Sequence, residues 1–454
     1  MSTIALTADE ARRMRVSSQG LDVGVDSRKS VDVVGIVRRT GGIQAQDVSA
    51  GALQVRARSF GLTYADVVFA LSESRSIVRT WAMRGTLHLI PSEDHRWLTD
   101  LLGPAAFSAG SGRRLQMGLD EKTLERALEC LVKSFTKYGP LTRKEVGKRL
   151  VSEGIRVEGQ AVHHVVRSGG FLGVIAHGPL LDGKTETFVA ADSWLAGIER
   201  PELSRDEALA RLAGRYFRAF GPSTERDFSV WSGLPLRDAR AGFEAISGEL
   251  VEVEVHPHPN PPPSRGRGSE RMWVVDGGSG PAGQAVDSGL RRNDGGGRND
   301  DKGRNDGGGL ALRQAQGERG PVVRLLGFFD TYLLGYRGRG LAVAPEYMSR
   351  VNAGGGMIRP VVTIDGLAVA TWSWRWVRGG SPMDSGFRRN EGSSGRNDGR
   401  GGRNDGKAGR GLEISVEAFP GMEGALGSIW DEARGEVGDI GRFLGVEAGI
   451  SPPP

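Results

Sequence analysis

The segment LDEKTLERALECLVKSFTKYGPLT (residues 119–142) has a counterpart in SRDEALARLAGRYFRAFGPST (residues 204–224). Each segment reads as an amphipathic helix that ends in a Gly-Pro-x-Thr turn. In the first helix the apolar residues recur at the spacing of one helix face. They are Leu124, Leu128, Leu131 and Phe135. The chain therefore contains an internal repeat that begins with a helix.

The threonine of each turn is positioned to start a second helix. Thr142 is followed three residues later by Glu145, and Thr224 is followed by Asp227. A Thr with an acidic residue at this spacing is the pattern of a capping box, in which each side chain bonds the backbone N–H of the other. We therefore predict a helix start directly after each turn.

A third helix and a pair of strands complete both copies. The third helices are predicted at 159–170 and 236–246, and β-prone runs such as LGVIAH and LVEVEV follow them. Three helices followed by a hairpin are typical of a winged helix, a variant of the helix-turn-helix. We define residues 119–200 as the GPLT repeat and residues 201–276 as the GPST repeat, and predict one winged helix in each.

The chain before and after the repeats has its own pattern. Residues 1–118 contain a predicted helix over 32–46 and a predicted strand pair over 76–91, which indicates a further winged-helix-like domain. Residues 321–454 read as several alternating strands with glycine turns and a final helix, which favours a small barrel or sandwich. The predicted fold class is α+β, with tandem winged-helix (helix-turn-helix) units followed by a small C-terminal β-barrel.

Three stretches are too poor in apolar residues to join a folded core. They are the Pro-rich segment 256–270 and the Gly/Arg/Asn/Asp-rich segments 277–320 and 378–411. The last two share the strings DSGLRRNDG and DSGFRRNEG, each followed by further GRND units. Such composition cannot offset the entropy of ordering the chain. We predict three disordered insertions, of which the first lies at the tip of the GPST hairpin.

The basic character of the chain comes from these insertions. The net charge is +5, and the three insertions contain the whole positive excess, so the rest of the chain is close to neutral. Within the rest, residues 1–200 have more Lys and Arg than Asp and Glu. Overall basicity is therefore no evidence for nucleic-acid binding. If a polyanion binds, the N-terminal half is expected to face it.

Composition also excludes several classes of protein. Among the 454 residues Cys130 is the sole cysteine, which excludes a disulfide framework and a Cys-rich zinc site. The histidines lack metal-ligand spacing, so we expect no metal and no cofactor. No apolar run is long enough to span a membrane, and the first residues do not resemble a signal peptide. We expect a soluble cytoplasmic protein in which Cys130 is an inert helix residue.

Several stretches together resemble a known superfamily. RTWAMRGTLHLIP (79–91), the two Gly-Pro-x-Thr turns, WSGLP (231–235) and FFDTYLLGYRGR (328–339) are similar to the winged-helix DNA-binding superfamily that contains the AlkZ- and YcaQ-type DNA glycosylases. The resemblance covers nearly the whole chain apart from the insertions. It implies three tandem winged helices and a C-terminal β-barrel around duplex DNA. It also implies excision of bulky N7-alkylated purines and unhooking of interstrand crosslinks.

The resemblance also implies a pair of catalytic residues. The signature of these glycosylases is Gln-x-Gln or Gln-x-Asp in the N-terminal domain, and Gln44-Ala45-Gln46 matches the first form. Asp47 follows directly, but it lies one position beyond the second residue of the signature. It is therefore not expected to replace the carboxylate of the Gln-x-Asp form. Gln44 and Gln46 are thus the implied catalytic residues. The alternative is an ordinary polar helix end that follows two glycines.

Glutamine amides suit a leaving group that is already activated. N7-alkylation makes the purine cationic, so no general acid is needed to expel it. The enzyme then has to hold a water against the anomeric carbon and stabilise positive charge, and amide oxygens can do both. No lysine is needed as a nucleophile, so a glycosylase of this kind is expected to be monofunctional, without strand cleavage.

Three further groups of residues are candidates for contact with DNA. Alternation within a strand would place Arg84, Thr86 and His88 on one face. The third helix of the GPLT repeat presents His163, His164 and Arg167, of which His163 and Arg167 share a face. The sequence GYRGR places Arg337 and Arg339 in a turn, where they can follow a DNA backbone. The alternatives are a polar strand face, a solvated helix face and an ordinary charged turn.

These observations leave two functions. The first is a DNA glycosylase that acts on double-stranded DNA as a monomer, without metal, cofactor or membrane. The second is a non-catalytic winged-helix DNA-binding protein, such as a transcriptional regulator. The chain shows no separate ligand module and no dimerising coiled coil, which favours the first reading.

Overall fold

The computed structural model describes residues 4–22, 31–156, 158–183, 185–256, 269–276, 320–354, 356–378 and 410–451. The predicted disordered insertions at 256–270, 277–320 and 378–411 lie outside these residues, apart from a few positions at their ends.

The N-terminal region, residues 4–118, mixes short strands and helices. Its elements are β1 Ile4–Thr7, α1 Ala8–Ser18, α2 Val33–Arg39, β2 Ile43–Gln44, α3 Val48–Ala57, α4 Tyr64–Ser72, β3 Ile77–Trp81, β4 Leu87–Pro91, α5 His95–Ala109 and α6 Ser111–Gln116. Side-chain caps set several helix starts, because they satisfy N–H groups that have no partner within the helix. Thr7 and Thr63 form capping boxes, and Asp32 and Asp47 cap α2 and α3.

The GPLT repeat has the predicted order of elements. It contains α7 Glu121–Tyr138, β5 Leu141–Thr142, α8 Arg143–Ser152, α9 Ala161–Phe171, β6 Ile175–His177, β7 Thr187–Ala190 and α10 Ala191–Trp194. The predicted capping box between Thr142 and Glu145 is confirmed. The predicted apolar face of α7 is confirmed as well, since Leu124, Leu131 and Phe135 are buried and Leu128 packs against them.

The GPST repeat follows the same order. It contains α11 Arg205–Phe220, α12 Glu225–Ser232, α13 Leu236–Ala245, β8 Leu250–His256 and β9 Glu270–Val275. The predicted capping box between Thr224 and Asp227 is confirmed. Strands β8 and β9 pair in antiparallel register, and residues 257–269 lie between them in the sequence. The predicted Pro-rich insertion falls in this interval, and its residues 257–268 lie outside the described residues.

The sheets link regions that the sequence treats separately. Strands of the N-terminal region and of the GPLT repeat form one six-stranded sheet in the order β2-β4-β3-β6-β7-β5. The link is an antiparallel contact between β3 and β6, at Arg79 and His177. The GPST hairpin gains β1 as a parallel third strand. The N-terminal region is therefore bound to both repeats by backbone pairing.

The C-terminal region is built on one sheet. It contains β10 Val323–Leu326, α14 Thr331–Leu334, α15 Met348–Val351, β11 Val361–Ile364, β12 Leu367–Arg378, β13 Arg410–Ala418, α16 Glu423–Ser428, α17 Trp430–Leu444 and β14 Ala448–Ile450. The strand order is β10-β11-β12-β13-β14.

The sheet predicted as a small C-terminal β-barrel is open at its two edges among the described residues. Strands β10 and β14 are its edges and do not pair with each other. Helix α17 takes the place of further strands, because Val437, Ile440 and Phe443 lie in one core with the sheet residues and with helices α2 to α4. Trp372 is buried in this core, and Trp374 and Trp376 pack against it. The sheet is thus half of a barrel that is covered by helices.

Candidate active site

The two candidate catalytic glutamines lie at a strand rather than in a helix. The predicted helix over 32–46 ends at Arg39, because Gly41 and Gly42 have positive φ angles of 66° and 110°. Such angles break a right-handed helix and are accessible to glycine. The next residues form β2, in which Gln44 pairs with His88 of β4. The prediction of a helix through residue 46 is therefore wrong.

Each carbonyl of the Gln44-Ala45-Gln46 tripeptide accepts a hydrogen bond from a buried side chain. Gln54 Nε2 donates to the Gln44 carbonyl at 2.9 Å. Arg79 donates through Nε to the Ala45 carbonyl at 2.8 Å and through Nη2 to the Gln46 carbonyl at 2.9 Å. These three hydrogen bonds fix the backbone of the motif and so pre-organise the two glutamine side chains.

The glutamine amides are also held, but they differ in exposure. Gln44 is only 8% exposed, and its Oε1 accepts a 2.7 Å hydrogen bond from Arg84 Nη2. Gln46 is exposed, and its Oε1 accepts a 3.2 Å hydrogen bond from the Leu87 backbone N–H. A carbonyl oxygen has two lone pairs, so each amide oxygen keeps acceptor capacity after these bonds.

Asp47 has a structural task beside the motif. Its carboxylate caps α3 and accepts hydrogen bonds from the backbone N–H groups of Ser49 and Ala50 at 2.8 and 3.2 Å, and one from the Ser49 hydroxyl. The carboxylate that follows the glutamines is therefore committed to a helix start. This geometry agrees with the expectation that Asp47 does not replace a residue of the motif.

Arg79 is central to the site, although the sequence analysis gave it no role. Its side chain is 3% exposed, and it donates to Glu186 Oε1 at 2.6 Å and lies 3.2 Å from His177 Nδ1. Both partners belong to the GPLT repeat, so Arg79 connects that repeat to the backbone of the glutamines. Burial of His177, together with the charge of Arg79, moves the pKa of His177 well below its usual value.

The prediction that Arg84, Thr86 and His88 share an exposed strand face is wrong. Arg84 lies in a 3₁₀ turn between β3 and β4 with φ +56°, so the strand alternation does not reach it. Thr86 Oγ1 donates within the same turn to the Met83 carbonyl at 3.0 Å. His88 is in β4 but only 1% exposed, with Nδ1 2.9 Å from the Thr86 carbonyl oxygen.

His88 is therefore a buried neutral imidazole beside Gln44. Burial, together with the charge of Arg84, lowers the pKa of His88 to about 3. His88 lies opposite Gln44 in the sheet and has almost no surface that DNA can reach in this arrangement. Contact of Arg84 and Thr86 with DNA stays a prediction.

The WSGLP sequence of the GPST repeat packs directly on the Arg84 turn. Arg84 Nη1 donates to the Trp231 carbonyl at 2.5 Å. Gly233 has φ +82°, and a Cβ at this position would lie 3.0 Å from both Cα and N of Arg84. Burial, and then the positive charge of Arg339, lower the pKa of Arg84 to about 10. The turn is thus held by the GPST repeat.

The FFDTYLLGYRGR sequence reaches the site through Gln54. The Gln54 Oε1 accepts from the Thr331 N–H at 3.0 Å, while its Nε2 also donates to the Phe329 carbonyl at 3.3 Å. A fully buried ion pair between Arg58 and Asp330, with contacts of 2.7 and 3.0 Å, fixes this segment.

The arginines of the GYRGR sequence have different surroundings. Arg339 donates through Nε to the Leu333 carbonyl at 2.7 Å. Arg337 is exposed, and its backbone N–H donates to Asp227 at 2.8 Å. Arg339 is therefore half-buried and bound to its own segment, whereas Arg337 lies on the surface beside the GPST repeat.

The candidate residues of α9 form a separate basic surface. His163 is exposed, and His164 and Arg167 are half-buried. Partial burial, with the charge of Arg143 next in effect, lowers the pKa of His163, and Arg167 lies over the Phe171 ring at 4.9 Å. Among the described residues no hydrogen bond or ion pair joins this surface to the glutamines. Contact of His163, His164 and Arg167 with DNA stays a prediction.

Within the described ranges, no cluster of three or more His, Cys, Asp or Glu side chains is arranged to hold a metal ion. In the same part of the chain, no helix has the length and apolar character needed to cross a membrane.

Comparison with known proteins identifies the class and then the family. The mixed α+β fold is shared with the solved structure of Streptomyces sahachiroi DNA glycosylase AlkZ, with a TM-score of 0.65 and 22% identity over 99% of this chain and 100% of that one. A curated interstrand DNA cross-link repair glycosylase of Streptomyces sahachiroi is 30% identical over 353 residues, which cover 75% of this chain and 81% of the relative.

The chain is accordingly a DNA glycosylase, an enzyme of the class that hydrolyses N-glycosidic bonds. The model of the AlkZ-like DNA glycosylase family matches residues 37–381, and the chain belongs to that family. The matched range includes Gln44, Gln46 and both repeats. The glycosylase reading is therefore favoured over that of a non-catalytic regulator.

Proposed function

We propose that the protein is a monofunctional DNA glycosylase that hydrolyses the N-glycosidic bond of N7-alkylated purines and unhooks interstrand crosslinks. The observation that carries this proposal is the fixed pair of amides at Gln44 and Gln46, whose backbone is held at three carbonyls by Gln54 and Arg79. The crosslink part also follows the name of the Streptomyces sahachiroi relative.

In the proposed reaction the bond between the sugar and the purine is largely broken before the water attacks. The electron pair of this bond neutralises the cationic purine. The amide oxygens of the two glutamines hold a water against the anomeric carbon and stabilise its developing positive charge. That water adds to the carbon and gives its proton to solvent. No acid is required, which is consistent with the neutral His88 and with the capping role of Asp47.

The GPLT and GPST repeats and residues 1–118 are proposed to be three winged helices, followed by a C-terminal domain at 321–454. We propose that they surround duplex DNA as a monomer. The helix order of both repeats and the hairpin of β8 and β9 support this assignment. Arg84, Thr86, His163, Arg167, Arg337 and Arg339 are proposed to contact the DNA.

Base release from defined duplexes tests the proposed function. Purified protein is incubated with a duplex that carries one N7-methylguanine, and separately with a nitrogen-mustard crosslink. Abasic sites are scored by strand cleavage with alkali. We expect cleavage only after alkali, from both substrates. Strand breaks without alkali would contradict a monofunctional enzyme, and duplex binding without any base release would favour the regulator.

A further inference from the structure

The two glutamine amides have a fixed orientation, because each group that binds them is a donor only. Gln44 Oε1 accepts a 2.7 Å hydrogen bond from the Arg84 guanidinium, and Gln46 Oε1 accepts a 3.2 Å hydrogen bond from the Leu87 backbone N–H. A guanidinium and a backbone N–H have no acceptor atom, so an amide that turned its nitrogen toward either would lose the bond. The oxygen of each amide therefore faces the protein.

The amide nitrogen of Gln44 is left for a ligand. Within the described part of the chain it has no hydrogen-bond partner, and it is not one of the fully enclosed polar atoms that lack one, so it reaches the solvent. Gln54 is different, because its Nε2 donates to two carbonyls and its Oε1 accepts from the Thr331 N–H. Gln54 is thus saturated by the protein, whereas Gln44 offers a free donor.

Gln44 is also the stronger donor of the two catalytic amides. Its oxygen is bound by a charged group at 2.7 Å, which polarises the amide and strengthens its N–H groups as donors. Gln46 is exposed, and its oxygen is bound by a neutral N–H at 3.2 Å. Gln44 is only 8% exposed, so its donor is held in place and partly shielded from water.

The chemistry of base release decides which acceptor this donor serves. When the glycosidic bond breaks, electron density rises on the purine and falls on the sugar. A donor therefore accelerates the reaction at the purine and opposes it at the ring oxygen of the sugar. The proposed function places the sugar at the glutamines, and N3 is the purine acceptor nearest to the broken bond, since it is two bonds from N9.

We propose that Gln44 Nε2 donates a hydrogen bond to N3 of the departing purine and stabilises the electron density that collects there. This inference rests on the proposed function and adds a second role for Gln44, because Oε1 keeps one lone pair for the attacking water. The electron pair of the glycosidic bond goes to N9 of the purine, and the proton stays on Nε2 throughout. Gln44 is thus a catalytic residue for the leaving group as well.

Removal of N3 from the substrate tests this hydrogen bond. One duplex contains N7-methylguanine, and a second contains N7-methyl-3-deazaguanine, in which a C–H replaces N3. Single-turnover release is measured from both and divided by the spontaneous release of the same base without enzyme. Gln44→Glu keeps an oxygen toward Arg84 and replaces the donor with an acceptor. Gln46→Glu is the matched control, because it makes the same change at the other amide.

In wild type and in Gln46→Glu, loss of N3 is expected to slow release about tenfold, as for the loss of one hydrogen bond. In Gln44→Glu, release of N7-methylguanine is expected to fall by at least this factor, and loss of N3 then adds little. Each cost is a ratio within one variant, so a smaller folded fraction cancels.

An equal cost of losing N3 in wild type and Gln44→Glu would overturn the donor role, and so would the absence of a cost in wild type. The latter result needs no variant and does not depend on how well Gln44→Glu folds. If wild type releases no N7-methylguanine, the proposed function itself fails and the inference fails with it. Release of N7-methylguanine without a cost of losing N3 overturns the donor role alone.

Discussion

The GPLT and GPST repeats share a sequence pattern, yet the structure places them in opposite surroundings. In the GPST repeat the turn is buried: Ser223 is fully inaccessible, and Arg15 of α1 donates to the Pro222 carbonyl at 2.7 and 3.0 Å. In the GPLT repeat the corresponding glycine, Gly139, has open space around its Cα. The turn of the GPST repeat is thus enclosed by the N-terminal region, whereas the turn of the GPLT repeat is open at Gly139.

The difference extends to the functional residues. The end of α12 in the GPST repeat contacts the Arg84 turn through Trp231 and Gly233. Helix α9 of the GPLT repeat leaves His163 exposed. The same repeat is connected to the glutamine backbone indirectly, because Glu186 accepts a hydrogen bond from Arg79, which binds that backbone. The same local sequence pattern can therefore support a site or form an open surface, depending on the segments that pack against it.

The largest effect is expected from removal of Arg79, which connects the GPLT repeat to the backbone of the glutamines. Arg79→Met removes three donors and takes a partner from the Ala45 and Gln46 carbonyls, of which the first belongs to a buried residue, and it leaves the half-exposed Glu186 without its cation, so we expect a loss of about 3–5 kcal/mol in the free energy of unfolding. Urea denaturation measures it. Glu186→Gln is the control, with an expected loss below about 1 kcal/mol, because Glu186 is 46% exposed. Similar small losses for both variants would contradict the central role of Arg79.

A matched pair of glycine substitutions compares the two repeats directly. Gly233 and Gly154 have φ angles of +82° and +73°, but a Cβ would meet the Arg84 backbone at Gly233 and nothing within 4 Å at Gly154. Gly233→Ala is expected to cost about 2 kcal/mol and Gly154→Ala about 1 kcal/mol, with the second value due to backbone strain alone.

Activity separates the glycine pair further. Gly233→Ala is expected to slow base release, because it displaces the arginine that holds Gln44, whereas Gly154→Ala is expected to leave the rate unchanged. Equal effects of the two substitutions on single-turnover rates would show that the GPST repeat does not support the site.

Substitution on α9 is expected to change binding and not stability. The His163→Ala/Arg167→Ala variant loses a cation that is placed to contact phosphate, so we expect about tenfold weaker duplex binding and a salt slope that is lower by about one phosphate contact. Its thermal unfolding is expected to stay close to that of wild type. Unchanged affinity and salt slope would mean that this surface does not face DNA.

The smallest expected effect concerns pH and a buried histidine. The folded-state pKa of His88 is about 3, below its value of about 6.5 in the unfolded chain, so its contribution to stability is present above pH 6.5 and declines as the pH falls toward 3. At pH 5.5 the loss from His88 is about 1 kcal/mol. His88→Gln should reduce this acid sensitivity, and His163→Gln, at an exposed site, should do so less. An unaltered pH profile of unfolding in His88→Gln would contradict the burial of a neutral imidazole.

Local signals predicted the elements well. The capping boxes at Thr142 and Thr224, the apolar face of α7 and the hairpin of β3 and β4 are confirmed because they depend on residues a few positions apart. The helix predicted through residue 46 is wrong because two consecutive glycines outweigh the apolar periodicity before them.

Long-range features left no such signal. The pairing of Arg79 with His177, which joins two regions into one sheet, depends on packing between distant segments. For the same reason the burial of Arg79, Gln54 and His88 could not be predicted, and strand alternation misplaced Arg84 because a 3₁₀ turn interrupts it. The Arg-Gly pair at 84–85 was the one local hint of that turn. Gln44 and Gln46 were found through a resemblance, and their catalytic role stays a prediction.

The central claim is that the chemistry resides in the two glutamine amides, while binding resides elsewhere. The most direct measurement is single-turnover release of N7-methylguanine at saturating enzyme, with Kd for the same duplex, for wild type and Gln44→Ala/Gln46→Ala. Gln116→Ala, at an exposed glutamine of α6, is the control. The account predicts that the double variant loses release by about 100-fold or more at nearly unchanged Kd, as for loss of transition-state interactions alone. Release at the wild-type rate in the double variant would contradict it.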